Sequence, residues 1–264
     1  MSEPVLLQQT SKGVWELVLN NPDRHNALNE TTIDAFHRCL ELAGTKPDLR
    51  LLILKAEGKH FCSGADLGWM QRAAALSPEE NRTDAGRLAE LLWRLNRFPH
   101  PTLALVQGAV FGGALGLICA CDVVVAAADA RFSLSETRLG LIPATIAPYV
   151  LPVLGERQAR RYMLSAEVIN AADAQRLGLV HKIAEHSLAQ TAAAMASALL
   201  RGGPCAQRAA KALIRDYTSR PLDRALSNDS ACRLAALRIT GEAQEGLAAF
   251  LEKRTPDWED KHAD

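Results

Sequence analysis

The chain has 264 residues, with 30 basic and 30 acidic side chains and therefore no formal net charge. Hydrophobic residues make up 48% and charged residues 23%, a globular usage that excludes an extended disordered chain. Without net positive charge the chain has no global attraction to phosphates, so no nucleic-acid partner is expected.

The opening MSEPVLLQQT has neither the basic start nor the long apolar core of a secretory leader. Six cysteines (Cys39, Cys62, Cys119, Cys121, Cys205, Cys232) do not make a disulfide scaffold in a chain this long. A cytoplasmic protein with reduced thiols is expected. No spacing of cysteine or histidine fits a metal module, so no metal is expected.

In chain order, residues 14–19 read as a strand closed by the turn Asn20-Asn21-Pro22-Asp23. Ile33, Phe36, Leu40 and Ala43 fall at helical spacing behind the N-cap residue Asn29, and Gly44 and Pro47 end that helix. Residues 51–54 are a continuous apolar run, as in a strand covered on both faces. Ser77-Pro78-Glu79-Glu80 opens a long helix that ends near Phe98-Pro99. A strand at 102–106, a helix at 112–120 and a strand at 123–127 follow. The uncharged run 103–121 is as long as a membrane span, but Gly108, Gly112, Gly113 and Gly116 interrupt it and no basic flank follows. A strand and a buried helix account for it, and no membrane partner is expected. Strands alternating with helices predict an α/β architecture with largely parallel pairing. From about residue 156 onward the pattern is helical, over 156–165, 170–177, 187–200, 204–217 and 221–253, with almost no strand signal.

Three segments carry chemistry. His60-Phe61-Cys62-Ser63-Gly64-Ala65-Asp66-Leu67 follows a strand, and its small residues let a ligand approach the backbone N–H groups. Gly108-Ala109-Val110-Phe111-Gly112-Gly113-Ala114-Leu115-Gly116 also follows a strand and opens a helix, whose first N–H groups favour negative charge. It has neither the lysine of a phosphate loop nor the spacing of a dinucleotide fingerprint. Phe132-Ser133-Leu134-Ser135-Glu136 sets a carboxylate among apolar and small residues, where its pKa rises toward that of a general acid or base. Each segment alone also fits a structural role: Asp66 as a helix cap, the glycines as close packing, Glu136 as a solvated partner of Arg138. Together they supply two backbone donors for one oxygen and a carboxylate across from it, the equipment for stabilising an enolate.

These motifs stand in order with Asn26-Ala27-Leu28-Asn29, Cys121-Asp122, Gly178-Leu179-Val180 and the closing Glu245-Gly246-Leu247-Ala248-Ala249-Phe250-Leu251-Glu252-Lys253-Arg254. Over residues 13–255 the chain resembles the crotonase superfamily, the enoyl-CoA hydratase/isomerase family. The resemblance implies a spiral of repeated β-β-α units with an all-helical C-terminal region that builds trimers, often paired into hexamers. Residues 1–200 would form the core and 201–264 the oligomerisation region. The resemblance also implies a coenzyme A thioester substrate, with no separate cofactor because coenzyme A is part of the substrate. It gives the oxyanion donors as the N–H groups of Ala65 and Gly113, and the acid/base as Glu136. Around the substrate it sets Arg24, Asn26, Ser63, Asp66, Leu67, Gly112 and Gly116. Phe250 and Lys253 match tail positions that reach coenzyme A across a subunit boundary in relatives.

One departure matters. Typical hydratases of the family carry two glutamates; the second matches Glu136, and the first falls on Gly116. A single glutamate fits a Δ3,Δ2-enoyl-CoA isomerase. It also fits a hydratase in which Glu136 deprotonates water and returns the proton to the α-carbon. A dehalogenase of the family needs an aspartate where this chain has Ala144. Asp66-Leu67-Gly68-Trp69-Met70, Leu134 to Ala144 and Pro148-Tyr149-Val150 resemble one branch, the hydratases of 3-methylglutaconyl-CoA and isohexenylglutaconyl-CoA in leucine and acyclic terpene breakdown. Such a substrate carries a distal carboxylate, for which Arg72, Arg82, Arg87 and Arg138 are candidates. A catalytically weak coenzyme A-binding scaffold is the reading of another class; the retained Gly113 and Glu136 argue against it.

Overall fold

The computed structural model describes residues 3–260. An antiparallel hairpin of β1 (Val5–Ser11) and β2 (Val14–Leu19) leads into α1 (Glu30–Gly44), where the Asn29 side chain accepts the Thr32 N–H at 2.9 Å. β3 (Leu51–Ala56) is followed by α2 (Leu67–Ala73) and α3 (Pro78–Asn96), the latter opened by a capping box between Ser77 and Glu80. β4 (Thr102–Val106), β5 (Ala109–Phe111) and α4 (Gly113–Ala120) come next, then β6 (Val123–Ala127), β7 (Arg131–Ser133) and α5 (Ala147–Ser165). β8 (Ile169–Asn170), α6 (Ala171–Arg176), β9 (Lys182–Ala184) and α7 (Leu188–Leu200) complete the layered part. α8 (Pro204–Tyr217), α9 (Arg224–Arg238), α10 (Gly241–Glu252) and α11 (Asp257–Asp260) form the helical end.

The path repeats. One strand enters a six-stranded sheet ordered β1-β2-β3-β4-β6-β9, a short strand enters a second sheet ordered β5-β7-β8, and a helix follows. After β3, the second-sheet position is held by a parallel bridge from Cys62 to Val110. Apart from the β1–β2 hairpin the large sheet is parallel. Phe36, Phe61 and Phe132 fill the core on one side of it. On the other side Val14, Leu51, Ile53, Leu103, Leu105 and Val125 are covered by Ala192 and Ala196 of α7. Both faces are buried, which is why β3 and β4 read as unbroken apolar runs. No helix among the described residues is long and apolar enough to cross a membrane.

The structure corrects the sequence reading in four places. β1 was not expected: it is an edge strand with mostly exposed side chains, so it carries no apolar pattern. β8 and β9 lie in the part expected to be helical throughout; strands this short show no periodicity. A helical stretch from Ala147, with Pro148 in its first turn, precedes the helix expected over 156–165, and Gly155 (φ 68°, ψ 158°) breaks the run between them. The helix expected over 221–253 is two, divided where Thr240 accepts the Ala243 N–H and caps α10. The expected C-terminal region runs to 264, and its last four positions, 261–264, lie outside the described residues.

Buried Arg50 ties the helical end to the sheet. It precedes β3, and its guanidinium donates to the carbonyls of Leu200 (3.2 Å), Gly202 (2.6 Å) and Trp258 (3.3 Å). Arg50→Ala is expected to lower unfolding free energy by about 3 kcal/mol, since three carbonyls lose a charged donor. Urea denaturation tests this; a loss within error of zero would mean the clamp is idle.

Candidate functional site

Parallel strands place their C-terminal ends on one edge of the sheet, and ligands of open α/β sheets gather there. β3 and β4 are neighbours, so the loops that follow them meet. The Phe61 N–H donates to Gln107 O (2.8 Å), the Cys62 N–H to Ala109 O (3.0 Å), and the Phe111 N–H to Cys62 O (3.1 Å). The two glycine-bearing turns are thereby held together. Gly108 (φ 58°) must be glycine, since a Cβ there would stand 2.2 Å from Lys59 O.

The first turn carries Ala65. The Leu28 N–H donates to Gly64 O and the Asp66 N–H to Leu28 O, both at 2.8 Å. This bridge steps over Ala65 and leaves its N–H outside the pairing. The second turn carries Gly113, the first residue of α4, whose N–H has no acceptor within its own helix.

Glu136 arrives from β7. The Gly112 N–H donates to Ser133 O (3.0 Å), Ser133 Oγ to Ala166 O (3.3 Å), and Thr137 Oγ1 to Met163 O (2.9 Å). The short turn Glu136–Leu139 is thus pinned between α4 and the end of α5. A Cβ on Gly112 would stand 3.4 Å from Glu136 Oε1 and 4.0 Å from the Gly64 Cα. Gly64, Gly112 and Glu136 are therefore in one place, with Ala65 and Gly113 one residue on. Glu136 Oε2 is buried and, among the described residues, has no hydrogen-bond partner. Burial raises the Glu136 carboxyl above the ordinary glutamate range, opposed only by its own backbone hydrogen bond. Such a group exchanges protons more readily near neutral pH than a solvated glutamate does.

The neighbouring cysteine takes no part. Burial pushes the Cys62 thiol up to about 12, so it stays protonated at neutral pH.

Other positions fall out differently. Asp66 caps α2, accepting the Trp69 N–H at 3.0 Å, and lies 3.8 Å from Arg24. The Ser63 N–H donates to His25 O (3.1 Å), and Leu67 is 76% exposed. Asn26 is not free to meet a ligand. Asn26 is buried; its Oδ1 accepts the Asn21 N–H, and its Nδ2 donates to the carbonyls of Glu57 and His60, all at 2.8 Å. It holds the loop instead. His60 does similar work, its Nδ1 accepting the Ala109 N–H at 3.0 Å.

Gly116 is also closed off. It is buried, and a Cβ there would stand 2.4 Å from Ile146 Cγ2 and 3.0 Å from Leu92 Cδ1. Phe250 and Lys253 lie at the end of α10, a helix that packs on α8 and α9; Phe250 is 80% exposed. Sequence reasoning missed Leu28, Leu88, Leu92 and Ile146, the apolar side chains against Gly113 and Gly116. Leu28 lies in the Asn26-Ala27-Leu28-Asn29 motif, but nothing in the local sequence marks Leu88, Leu92 or Ile146. Clefts of about 570 and 590 Å³ lie elsewhere, beside α7 and between α5 and α8, and neither is lined by Glu136, Ala65 or Gly113.

The two joined glycine turns stand beside a half-buried glutamate whose Oε2, among the described residues, has no hydrogen-bond partner. A family model described as enoyl-CoA hydratase/isomerase matches residues 9–261. The chain belongs to the enoyl-CoA hydratase/isomerase family. As a member it is a hydratase-type lyase with the crotonase fold. A solved enoyl-CoA hydratase from Shewanella pealeana superimposes with a TM-score of 0.93 at 42% identity, covering 97% of this chain and 96% of that one. A putative enoyl-CoA hydratase of Thermus thermophilus is 33% identical, over 94% of this chain and 98% of its own length. The human mitochondrial methylglutaconyl-CoA hydratase is 30% identical, over 95% of this chain and 75% of its own length.

Proposed function

We propose that this enzyme adds water across the double bond of a 3-branched glutaconyl-CoA, 3-methylglutaconyl-CoA or isohexenylglutaconyl-CoA, with Glu136 as its one acid/base. The observation that carries the reading is the buried, unpartnered Glu136 Oε2 on a carboxylate set against Gly112, one residue from the Gly113 N–H. In this mechanism the thioester oxygen accepts hydrogen bonds from the Ala65 and Gly113 N–H groups. Glu136 takes a proton from water as the water oxygen bonds to C3. The π electrons move to the thioester oxygen as an enolate, which those two donors stabilise. The enolate collapses and C2 takes the proton from Glu136, so the carboxylate is restored and one water is gained. No group beyond the thioester and water enters the balance.

The likeness to a methylglutaconyl-CoA hydratase supports the branched substrate. For its distal carboxylate the four arginines now divide. Arg72 donates to Glu30 at 3.2 and 2.8 Å, and Arg87 lies 3.7 Å from Asp34. Arg82 and Arg138 have no such acidic partner among the described residues, and Arg138 sits on the same turn as Glu136. Arg138 is the one assigned here. Arg138→Ala is expected to raise KM for a glutaconyl thioester about tenfold and leave a straight-chain enoyl thioester unchanged. Equal KM effects on both would remove the assignment.

The second reading is a Δ3,Δ2-enoyl-CoA isomerase, favoured by the lack of a carboxylate at Gly116. Mass spectrometry separates the two. A gain of one water on a branched glutaconyl thioester, absent in Glu136→Gln, supports hydration. A shifted double bond in a 3-enoyl thioester without added mass supports isomerisation. Exposed Ile239 (81%), Phe250 (80%) and Leu251 (78%) on the helical end fit assembly into a trimer or a dimer of trimers.

A further inference from the structure

α2 follows the Ala65-Asp66 turn directly and has no fully buried residue, so a few side-chain ties decide how firmly it is held. Trp69 is its anchor. The ring packs against the main core, and the indole Nε1–H donates to Asp84 of α3, 3.2 Å from Oδ1 and 3.1 Å from Oδ2. The Trp69 backbone N–H donates to Asp66 Oδ1 at 3.0 Å, and the Asp66 N–H donates to Leu28 O at 2.8 Å. Hydrogen bonds in series therefore lead from Asp84 through Trp69 to Asp66, the residue after Ala65. A second tie of α2, Arg72 to Glu30, lies on an exposed surface, where an ion pair holds little. Four residues on from Asp84, Leu88 shares its helix face and lies 3.5 Å from where a Cβ on Gly113 would stand. One turn of α3 thus reaches both donor-bearing turns, the Gly113 turn through Leu88 and the Ala65 turn through Asp84 and Trp69.

We propose that Asp84 is a positioning residue for the oxyanion donors: by holding the Trp69 indole it fixes the Ala65 N–H relative to the Gly113 N–H. This rests on the reading above, in which both groups donate to the thioester oxygen. Asp84 acts through Trp69 and Asp66, not on the reacting atoms. A pair of donors stabilises an enolate only where both point at the one oxygen, and a misplacement of about 1 Å can cost on the order of 100-fold. Charge on that oxygen grows as the enolate forms. A loosened pair therefore slows the chemical step more than it weakens binding of the coenzyme A thioester.

The test uses the full-length wild type, Asp84→Ala, Asp84→Asn, Trp69→Phe and the double variant carrying both Asp84→Ala and Trp69→Phe. For each, kcat, KM and melting temperature are measured. Trp69→Phe keeps an aromatic ring and removes the N–H; Asp84→Asn keeps an acceptor oxygen. Asp84→Ala and Trp69→Phe are each expected to lower kcat for an enoyl thioester about 10- to 100-fold, with KM changed less than about threefold. The double variant should be no slower than the slower single one, since both remove the same bond. Asp84→Asn should recover most of the rate. Single losses that multiply in the double variant, an Asp84→Asn rate as low as that of Asp84→Ala, or a lower melting temperature at unchanged kcat would overturn the proposal. A second readout needs no turnover. A 3-oxoacyl-CoA can bind as its enolate, which absorbs in the near ultraviolet, so titration of that band follows the two donors directly. Asp84→Ala should bind the enolate about tenfold more weakly and a saturated acyl-CoA as well as wild type does. Wild type that adds water to no thioester would end the hydration reading alone. Equal enolate binding by wild type and Asp84→Ala would end this one.

Discussion

Glu136→Gln is expected to lower turnover of an enoyl thioester by on the order of 100- to 10,000-fold while the chain stays folded. The amide keeps the size of the carboxylate and cannot exchange the proton. The stability effect has the opposite sign. Burial raises the folded-state pKa of Glu136 above its unfolded value. Such a group contributes stability that is fully present below the unfolded pKa and is lost as pH rises through the folded one. At neutral pH the wild type therefore carries the cost of a buried ionised carboxylate, and Glu136→Gln does not. The variant should melt higher than wild type at pH 7, and the difference should vanish near pH 4. Activity of the wild type should fall as pH drops through the raised pKa, because the base becomes protonated. Melting curves and kcat against pH check both halves. Retained turnover in the folded variant would end the acid/base assignment.

Gly112→Ala is expected to cost about 1–3 kcal/mol of stability, and about 100-fold in kcat/KM. Gly112 has φ 54° and ψ −124°, backbone that a side chain strains. The added methyl would also stand 3.4 Å from Glu136 Oε1 and crowd the carboxylate proposed as the acid/base. Gly155→Ala is the control. Gly155 also has positive φ (68°), but a Cβ there meets nothing within 4 Å. It should lose comparable stability and keep its activity. If both variants lose activity in proportion to stability, crowding of Glu136 is not the cause.

How much of this was legible in the sequence depends on distance along the chain. The glycine turns and Glu136 stand out locally, because φ above zero and a carboxylate among apolar residues leave marks in single segments. The strands β3, β4 and β6 are apolar runs and were read correctly. The second sheet was not read, since β5, β7 and β8 have two or three residues each and take their identity from partners. The break before α10 did have a signal in Thr240-Gly241, outweighed by the helical pattern on either side. Its partner was invisible: Glu242 accepts the N–H groups of Cys205 and Ala206 at 2.8 Å, capping another helix from afar. Asn26 looked like a binding residue because its motif suggested one; only the three hydrogen bonds of its side chain disclose its structural use. The closure of Gly116 by Ile146 joins two residues that no local pattern connects.

Residues 136–146 carry Glu136 at one end and Ile146 at the other, and both pack against the first turn of α4, Glu136 at Gly112 and Ile146 at Gly116. A change in the length of that stretch would move the carboxylate and the buried isoleucine against one close-packed helix at once, so the span should accept substitutions more readily than insertions.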